Sequence, residues 1–400
     1  MNRKSLFLLV MVFSLVLAAC GGTAAVTPEA TLVEVTPLAT ATDSPPTAEP
    51  PTEVPPTEAP TEEPPPTEEP TAAPPSAADV AERIDTFISD QAAANRFTGA
   101  VLVARDGEVI FTKGYGLADQ EEQIPNTPQT RFRIASLTKA FTAMAIMQLQ
   151  EAGMVNVADS ICDHMPDCPD HWSDVTIHHL LTHSSGLPDA QISRNTPTVQ
   201  EDLLASLSAK PMQATPGSTF YYNNTNYFIL GSIIEAVTGQ SYEEVLQAQI
   251  FYPLGMADSG YSHDTEGLAV GYANRFREAS FIDMSGPFAA GALYSTVEDL
   301  HRWTQAMQSE QLVSRETLDL IFTPHVLIEP GGEWSYGYGW EIRRMHERPV
   351  VGHYGWIDGF RSEINIFPEN SLTTIVWTNR EDNVPEIFGE ILSKWALGIE

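Results

Sequence analysis

Apolar residues recur at Val80, Ile84, Phe87 and Ile88, a spacing that predicts a helix over 77–95 with Asp79 as its cap. The pattern then changes to period two. Residues 98–104 and 108–115 read as two strands, joined by Arg105-Asp106-Gly107, a sound hairpin turn. From Ser136 helical periodicity returns and runs through 144–151 to Gly153, a residue suited to a helix end. Residues 175–182, 198–207, 227–238 and 242–250 also read as helices, so the middle of the chain, 137–300, is mostly helical. Strand-like runs reappear at 334–340, 350–354, 360–367 and 373–379, and 384–397 forms a last amphipathic helix. Strands at both ends with helices between predict an α/β (α+β) fold: one antiparallel sheet flanked by helices and built from both termini, with an inserted, mostly helical part.

Composition restricts this pattern to part of the chain. Between residues 21 and 75 the sequence is mostly Thr, Pro, Glu and Ala, with no Lys, Arg or aromatic residue. Such a segment buries too little apolar surface to offset the entropy of ordering it. Its prolines and mutually repelling carboxylates predict an extended, semi-rigid stalk. The expected organisation is a signal segment over 1–19, a stalk over 20–78 and a folded domain over 79–400. In that domain 79–135 and 290–400 form the sheet part and 136–289 the helical part. Net charge is −32. Even without the stalk the folded part is acidic, which argues against nucleic acid as a partner.

The N-terminus sets the expected compartment. Arg3 and Lys4 precede an apolar run over 6–17, too short to span a bilayer as a mature helix and suited to a secretory signal. Leu17-Ala18-Ala19-Cys20-Gly21 follows and resembles the bacterial lipobox. That resemblance implies a lipid on Cys20 and anchoring to the outer face of the bacterial cell membrane, with the membrane as partner; the alternative is an ordinary signal with a chance cysteine. Two further cysteines, Cys162 and Cys168, outside the cytoplasm suggest a disulfide. Free thiols, or a metal site with His164 and His171, are the other readings, although the spacing fits no common zinc finger.

Three short elements carry candidate chemistry. In Ser136-Leu-Thr-Lys139 the hydroxyl lies at a helix start, and the amine falls on the same face one turn later. Apolar neighbours Leu137, Ala140, Phe141 and Met144 would desolvate the amine and lower its pKa, so that it can take the serine proton. The alternative is a capping serine and a surface lysine. In Tyr222-Asn223-Asn224 a phenol and an amide two residues apart can both face a cleft. Nearby cations would help the phenol ionise and shuttle protons, and Asn224 could donate to a substrate carbonyl while holding Lys139. The alternative is a helix start with capping asparagines. In His353-Tyr354-Gly355-Trp356 a strand histidine is followed by a glycine that admits substrate close to the backbone. The Trp356 N–H would then complete an oxyanion hole with the Ser136 N–H. A lone strand histidine is otherwise structural.

Taken in order, these elements resemble the serine β-lactamase and penicillin-binding superfamily, in particular its class C-like branch of β-lactamases, D-alanyl-D-alanine carboxypeptidases and family VIII esterases. Lys113-Gly-Tyr-Gly-Leu-Ala-Asp119, Leu180-Leu-Thr-His183-Ser-Ser-Gly186, Pro253-Leu-Gly-Met256 and Gly291-Ala-Leu-Tyr-Ser295 extend the resemblance over most of the folded part. It implies acylation of Ser136, acid–base work shared by Lys139 and Tyr222, and substrate binding by Asn224, His353 and Gly355. It also implies an oxyanion hole of Ser136 and Trp356, no metal or cofactor, and a small-molecule or peptidoglycan-derived substrate. His183 matches a family position and reads as structural. One departure stands out: the family's usual Lys-Thr-Gly is here His353-Tyr354-Gly355. A neutral histidine attracts a substrate carboxylate less than a lysine does, so ester or peptide hydrolysis is expected at least as much as strong β-lactamase activity. A protein that acylates without efficient turnover is the other expectation.

Overall fold

The computed structural model describes residues 75–190, 192, 194–261 and 267–399; the segment expected to be a signal, Cys20 and the expected stalk up to residue 74 lie outside them. Among the described residues eight strands form one antiparallel sheet. Its order runs Val326–Leu327, Ser335–Tyr336, Glu341–Met345, Arg348–Ile357, Phe360–Phe367, Leu372–Thr378, Gly99–Arg105, Glu108–Tyr115. The two ends of the domain therefore meet mid-sheet, where Gly99 pairs with Thr378 and Arg105 with Leu372.

Strand Gly99–Arg105 is buried on both faces, and its alternation divides the core in two. Val101 and Val103 pack with Val80, Ile84 and Ile88 of helix Ala77–Ala93 and with Phe388 and Leu392 of helix Pro385–Ala396. Ala100, Leu102 and Ala104 face the larger cluster with Phe141, Met147, Ile229 and Trp303. The antiparallel sheet and flanking helices expected from the sequence are thus present.

Several local expectations change. Ser76, not Asp79, caps the first helix, accepting the Asp79 N–H on its side chain. The strand read over 334–340 shrinks to Ser335–Tyr336. There Gly339 takes φ +77°, and a Cβ on it would lie 2.8 Å from the Lys139 carbonyl, so the chain turns in to touch the helix below. Residues 290–325, assigned to the sheet part, carry helices Val297–Ala306 and Arg315–Ile321. The helix over 175–182 is reduced to Ile177–Leu181, and the one over 242–250 stops at Leu246 and continues as a π turn. Cys162 and Cys168 are joined by a disulfide, with Cα atoms 5.1 Å apart.

Candidate active site

Ser136 lies in a tight turn, Ala135–Leu137, that leads into helix Thr138–Glu151. Ala135 holds φ +50°, an unfavourable value for a residue with a Cβ, so the turn is strained where the hydroxyl is presented. Strand Arg348–Ile357 passes directly over it. A Cβ on Gly355 would lie 2.4 Å from the Ile134 carbonyl and 3.0 Å from the Ala135 Cβ, so only glycine permits this approach. Ser362 on the neighbouring strand secures the turn by donating to the Ile134 carbonyl at 3.0 Å.

The strand edge is open here. The partner Glu341–Met345 pairs only as far as Gly352. Ile357 and Phe360 flank the two-residue turn Asp358-Gly359 and form the pair nearest it. Counting back by the antiparallel alternation, the Trp356 N–H points away from strand Phe360–Phe367, toward the unpaired edge. The Trp356 side chain itself is exposed, with Arg361 over its ring.

Lys139 is fully buried and not a surface lysine. Its Nζ lies 3.2 Å from Ser136 Oγ, 2.8 Å from Asn224 Oδ1 and 2.8 Å from the Ala290 carbonyl. Burial pulls its pKa down to about 7, against a smaller opposing pull from the Asp189 carboxylate. The neutral amine has two hydrogens and one lone pair. Asn224 Oδ1 and the Ala290 carbonyl can only accept, so they take the hydrogens, and the lone pair is left facing the one neighbour that can donate, Ser136 Oγ–H. The Ala290 carbonyl was invisible to sequence reading, because no side chain marks it. The small-residue run Ala289-Ala290-Gly291-Ala292, which lets the backbone come so close, was the available signal.

The Tyr222 hydroxyl hydrogen-bonds Ser136. The residue as a whole is 36 % exposed, with Lys139 Nζ 4.8 Å from the ring centre. Burial of its hydroxyl end raises the phenol well above its ordinary value, and Tyr354 and Glu341 add to the rise. The expectation that it ionises readily is therefore corrected: Tyr222 is neutral and the lysine is the group near neutrality. The two asparagines divide their duties. Asn223 caps helix Asn224–Thr238 by accepting the Thr225 N–H at 2.9 Å, while Asn224 reaches Lys139.

His353 is buried in the wall beside these groups, not exposed to the cleft. Its Nδ1 donates to the Tyr354 carbonyl at 2.6 Å, so Nε2 accepts from the Tyr336 hydroxyl at 3.0 Å. Burial, with Lys139 adding to it, lowers its pKa to about 3, so the ring is neutral. Tyr336 was not singled out in the sequence; its aromatic run read only as strand.

Residues 84–392 match the family model described as Beta-lactamase. The chain belongs to the beta-lactamase family. It is 29 % identical over 314 residues to a putative penicillin-binding protein, PbpX, of Bacillus subtilis, covering 76 % of this chain and 77 % of that one. The octameric penicillin-binding protein homologue from Pyrococcus abyssi superposes with a TM-score of 0.71 at 31 % identity, over 80 % of this chain and 78 % of that one. The D-amino acid amidase from Ochrobactrum anthropi SV3, crystallised with L-phenylalanine, gives 0.69 at 25 % identity, over 80 % of this chain and 98 % of that one. Family and fold neighbours together support a hydrolase built on the β-lactamase/transpeptidase-like architecture.

Proposed function

We propose that this protein is a serine hydrolase that forms an acyl-enzyme at Ser136 on amide or ester substrates. The observation that carries the reading is the buried Lys139 Nζ, held by two obligate acceptors 3.2 Å from Ser136 Oγ, so that the neutral amine turns its lone pair to the serine. Neutral Lys139 removes the Oγ proton as Oγ attacks the substrate carbonyl carbon. The developing oxyanion is held by the N–H groups of Ser136 and Trp356. Tyr222 gives its proton to the departing amine or alcohol, and the proton that Lys139 took from Ser136 Oγ then neutralises the tyrosinate, so one proton leaves with the product. Water then attacks the ester, and its proton returns along the same route to Ser136. Asn224 keeps Lys139 in place with Oδ1 and offers its amide hydrogens to the substrate carbonyl side. Gly355 lets the strand edge line the cleft, and His353 shapes the wall behind it.

The neutral His353 offers no charge to a substrate carboxylate, which favours esters and neutral amides over β-lactams. The amidase neighbour supports an amide of an amino acid as one such class. The N-terminal sequence supports export with a lipid on Cys20, tested by metabolic labelling with a fatty acid in wild type and Cys20→Ala.

The purified protein is assayed on a chromogenic ester, a chromogenic cephalosporin and a D-alanyl-D-alanine peptide, beside Ser136→Ala. Loss of all turnover and of covalent adduct in Ser136→Ala is expected. Equal performance of the two proteins on every substrate overturns the mechanism. Stoichiometric adduct without steady-state hydrolysis replaces turnover with trapping.

A further inference from the structure

His183 is buried, lies outside the three catalytic elements and read as structural in the sequence, yet its geometry is costly. It holds φ +56°, a left-handed backbone that residues other than glycine adopt reluctantly. Its Nδ1 accepts two hydrogen bonds, from the Asn223 N–H at 3.2 Å and from Asn226 Nδ2 at 3.1 Å. The proton therefore sits on Nε2, which has no hydrogen-bond partner among the described residues. A buried donor left unpaired forfeits its hydration with nothing to replace it. Strain and unpaired polar atoms persist where surrounding structure enforces them, and they gather at functional sites.

The cost has a clear correlate. The His183 carbonyl accepts the Tyr221 N–H at 2.8 Å, while its ring accepts the Asn223 N–H. The same residue thus grips the backbone on both sides of Tyr222. Its ring also packs against the Tyr222 ring, with centres 4.3 Å apart and planes at 34°. Tyr336 and Tyr227 close around the imidazole, with ring centres at 4.9 and 5.1 Å. No other side chain singled out so far touches Tyr222 in this combined way.

We propose that His183 is a positioning residue for Tyr222, fixing the phenol against Ser136 by clamping both flanking peptides and supporting its ring. With this left-handed backbone the carbonyl and the imidazole of one residue meet the same short segment. The inference rests on the reading of Tyr222 as a proton carrier, and the experiment separates the two.

His183→Ala, His183→Asn and Tyr222→Phe are prepared singly and as the two double variants. kcat and KM are measured on D-alanine p-nitroanilide, an amide whose leaving amine needs a proton, with Ser136 labelling by a fluorophosphonate probe as the check on the nucleophile and thermal melting as the check on folding. Asn tolerates the left-handed backbone and keeps an acceptor near Nδ1, so His183→Asn isolates the ring even if His183→Ala does not fold. Both single variants at His183 are expected to lower kcat about 10–100-fold with little change in KM. In the Tyr222→Phe background the same changes should cost less than about 2-fold, because the group they position is gone. Equal losses in both backgrounds, or a folded His183→Asn with the wild-type rate, overturn the proposal. A Tyr222→Phe enzyme as fast as wild type overturns the proton-carrier reading and His183's role with it; a slow one with additive losses overturns His183 alone.

Discussion

Lys139 Nζ sits 3.2 Å from Ser136 Oγ, turned toward it by two acceptors with which it cannot exchange a proton. Because burial brings the amine to about 7, its protonation state changes near neutrality. Below that value the lone pair is occupied and Ser136 has no base. The acylation rate should therefore fall tenfold per pH unit below about 7 and level off above it. A pH profile of the labelling rate checks this. Lys139→Arg, which cannot deprotonate, should lose at least about 10²–10⁴-fold at every pH.

Tyr222 predicts the opposite limb. Its phenol is raised, not lowered, so it stays a proton donor well past neutrality. The profile should show no alkaline fall up to the pH at which the protein unfolds. Tyr222→Phe should lower the rate about 10²-fold, because the leaving group then departs without its proton. The loss should be smaller for p-nitrophenyl esters, whose phenolate leaves unaided, than for amides. Equal losses on both substrates would remove Tyr222 from leaving-group protonation.

Much of this site was legible in the sequence because its parts are local. One helical turn separates Ser136 from Lys139, and two residues separate Tyr222 from Asn224. What was not legible depends on contacts between distant segments. The Ala290 carbonyl reaches Lys139 from 151 residues away and carries no side-chain signal. The left-handed backbone at His183 is unmarked by any glycine. The aromatic run ending at Trp340 has strand-like composition, yet Gly337 and Gly339 bend it. A Cβ on Gly337 would lie 2.4 Å from the Ile321 carbonyl, a packing constraint that propensity does not encode. His353 was correctly placed on a strand, but its alternation, not its chemistry, turned the ring into the wall.

Three histidines make the fold sensitive to acid. His183 is held well below its ordinary value by burial and by Lys139, His353 is near 3 for the same reasons, and His178 is near 4 through burial and its neighbours His325 and His179. Each folded-state pKa lies below the unfolded value, so the unfolded chain binds more protons below about pH 6.5. Stability is fully present above that pH and is lost as pH falls toward 4 and then 3. Each buried ring contributes a slope of up to about 1.4 kcal/mol per pH unit, and the partly open His178 less. Urea midpoints measured from pH 7.5 to 4.5 should drop steadily, and His178→Gln should flatten the drop.

Gly355 tests how closely the strand must approach the nucleophile. An added Cβ would lie 2.4 Å from both the Ile134 carbonyl and Ser362 Oγ, and 3.0 Å from the Ala135 Cβ. Gly355→Ala must therefore lift the strand off the Ser136 turn, costing roughly 1–3 kcal/mol of stability. The Trp356 N–H moves with the strand, so the two donors for the oxyanion separate and the rate should fall about 10²-fold or more. Gly352→Ala is the control. Its Cβ would strike the Ile364 carbonyl at 2.5 Å and Asn365 Oδ1 at 2.9 Å, on the same strand but away from Ser136. It should destabilise comparably while leaving most of the labelling rate intact when both variants are assayed well below their melting temperatures. If the two variants lose the same activity, strand packing in general, not the approach at Gly355, governs the site.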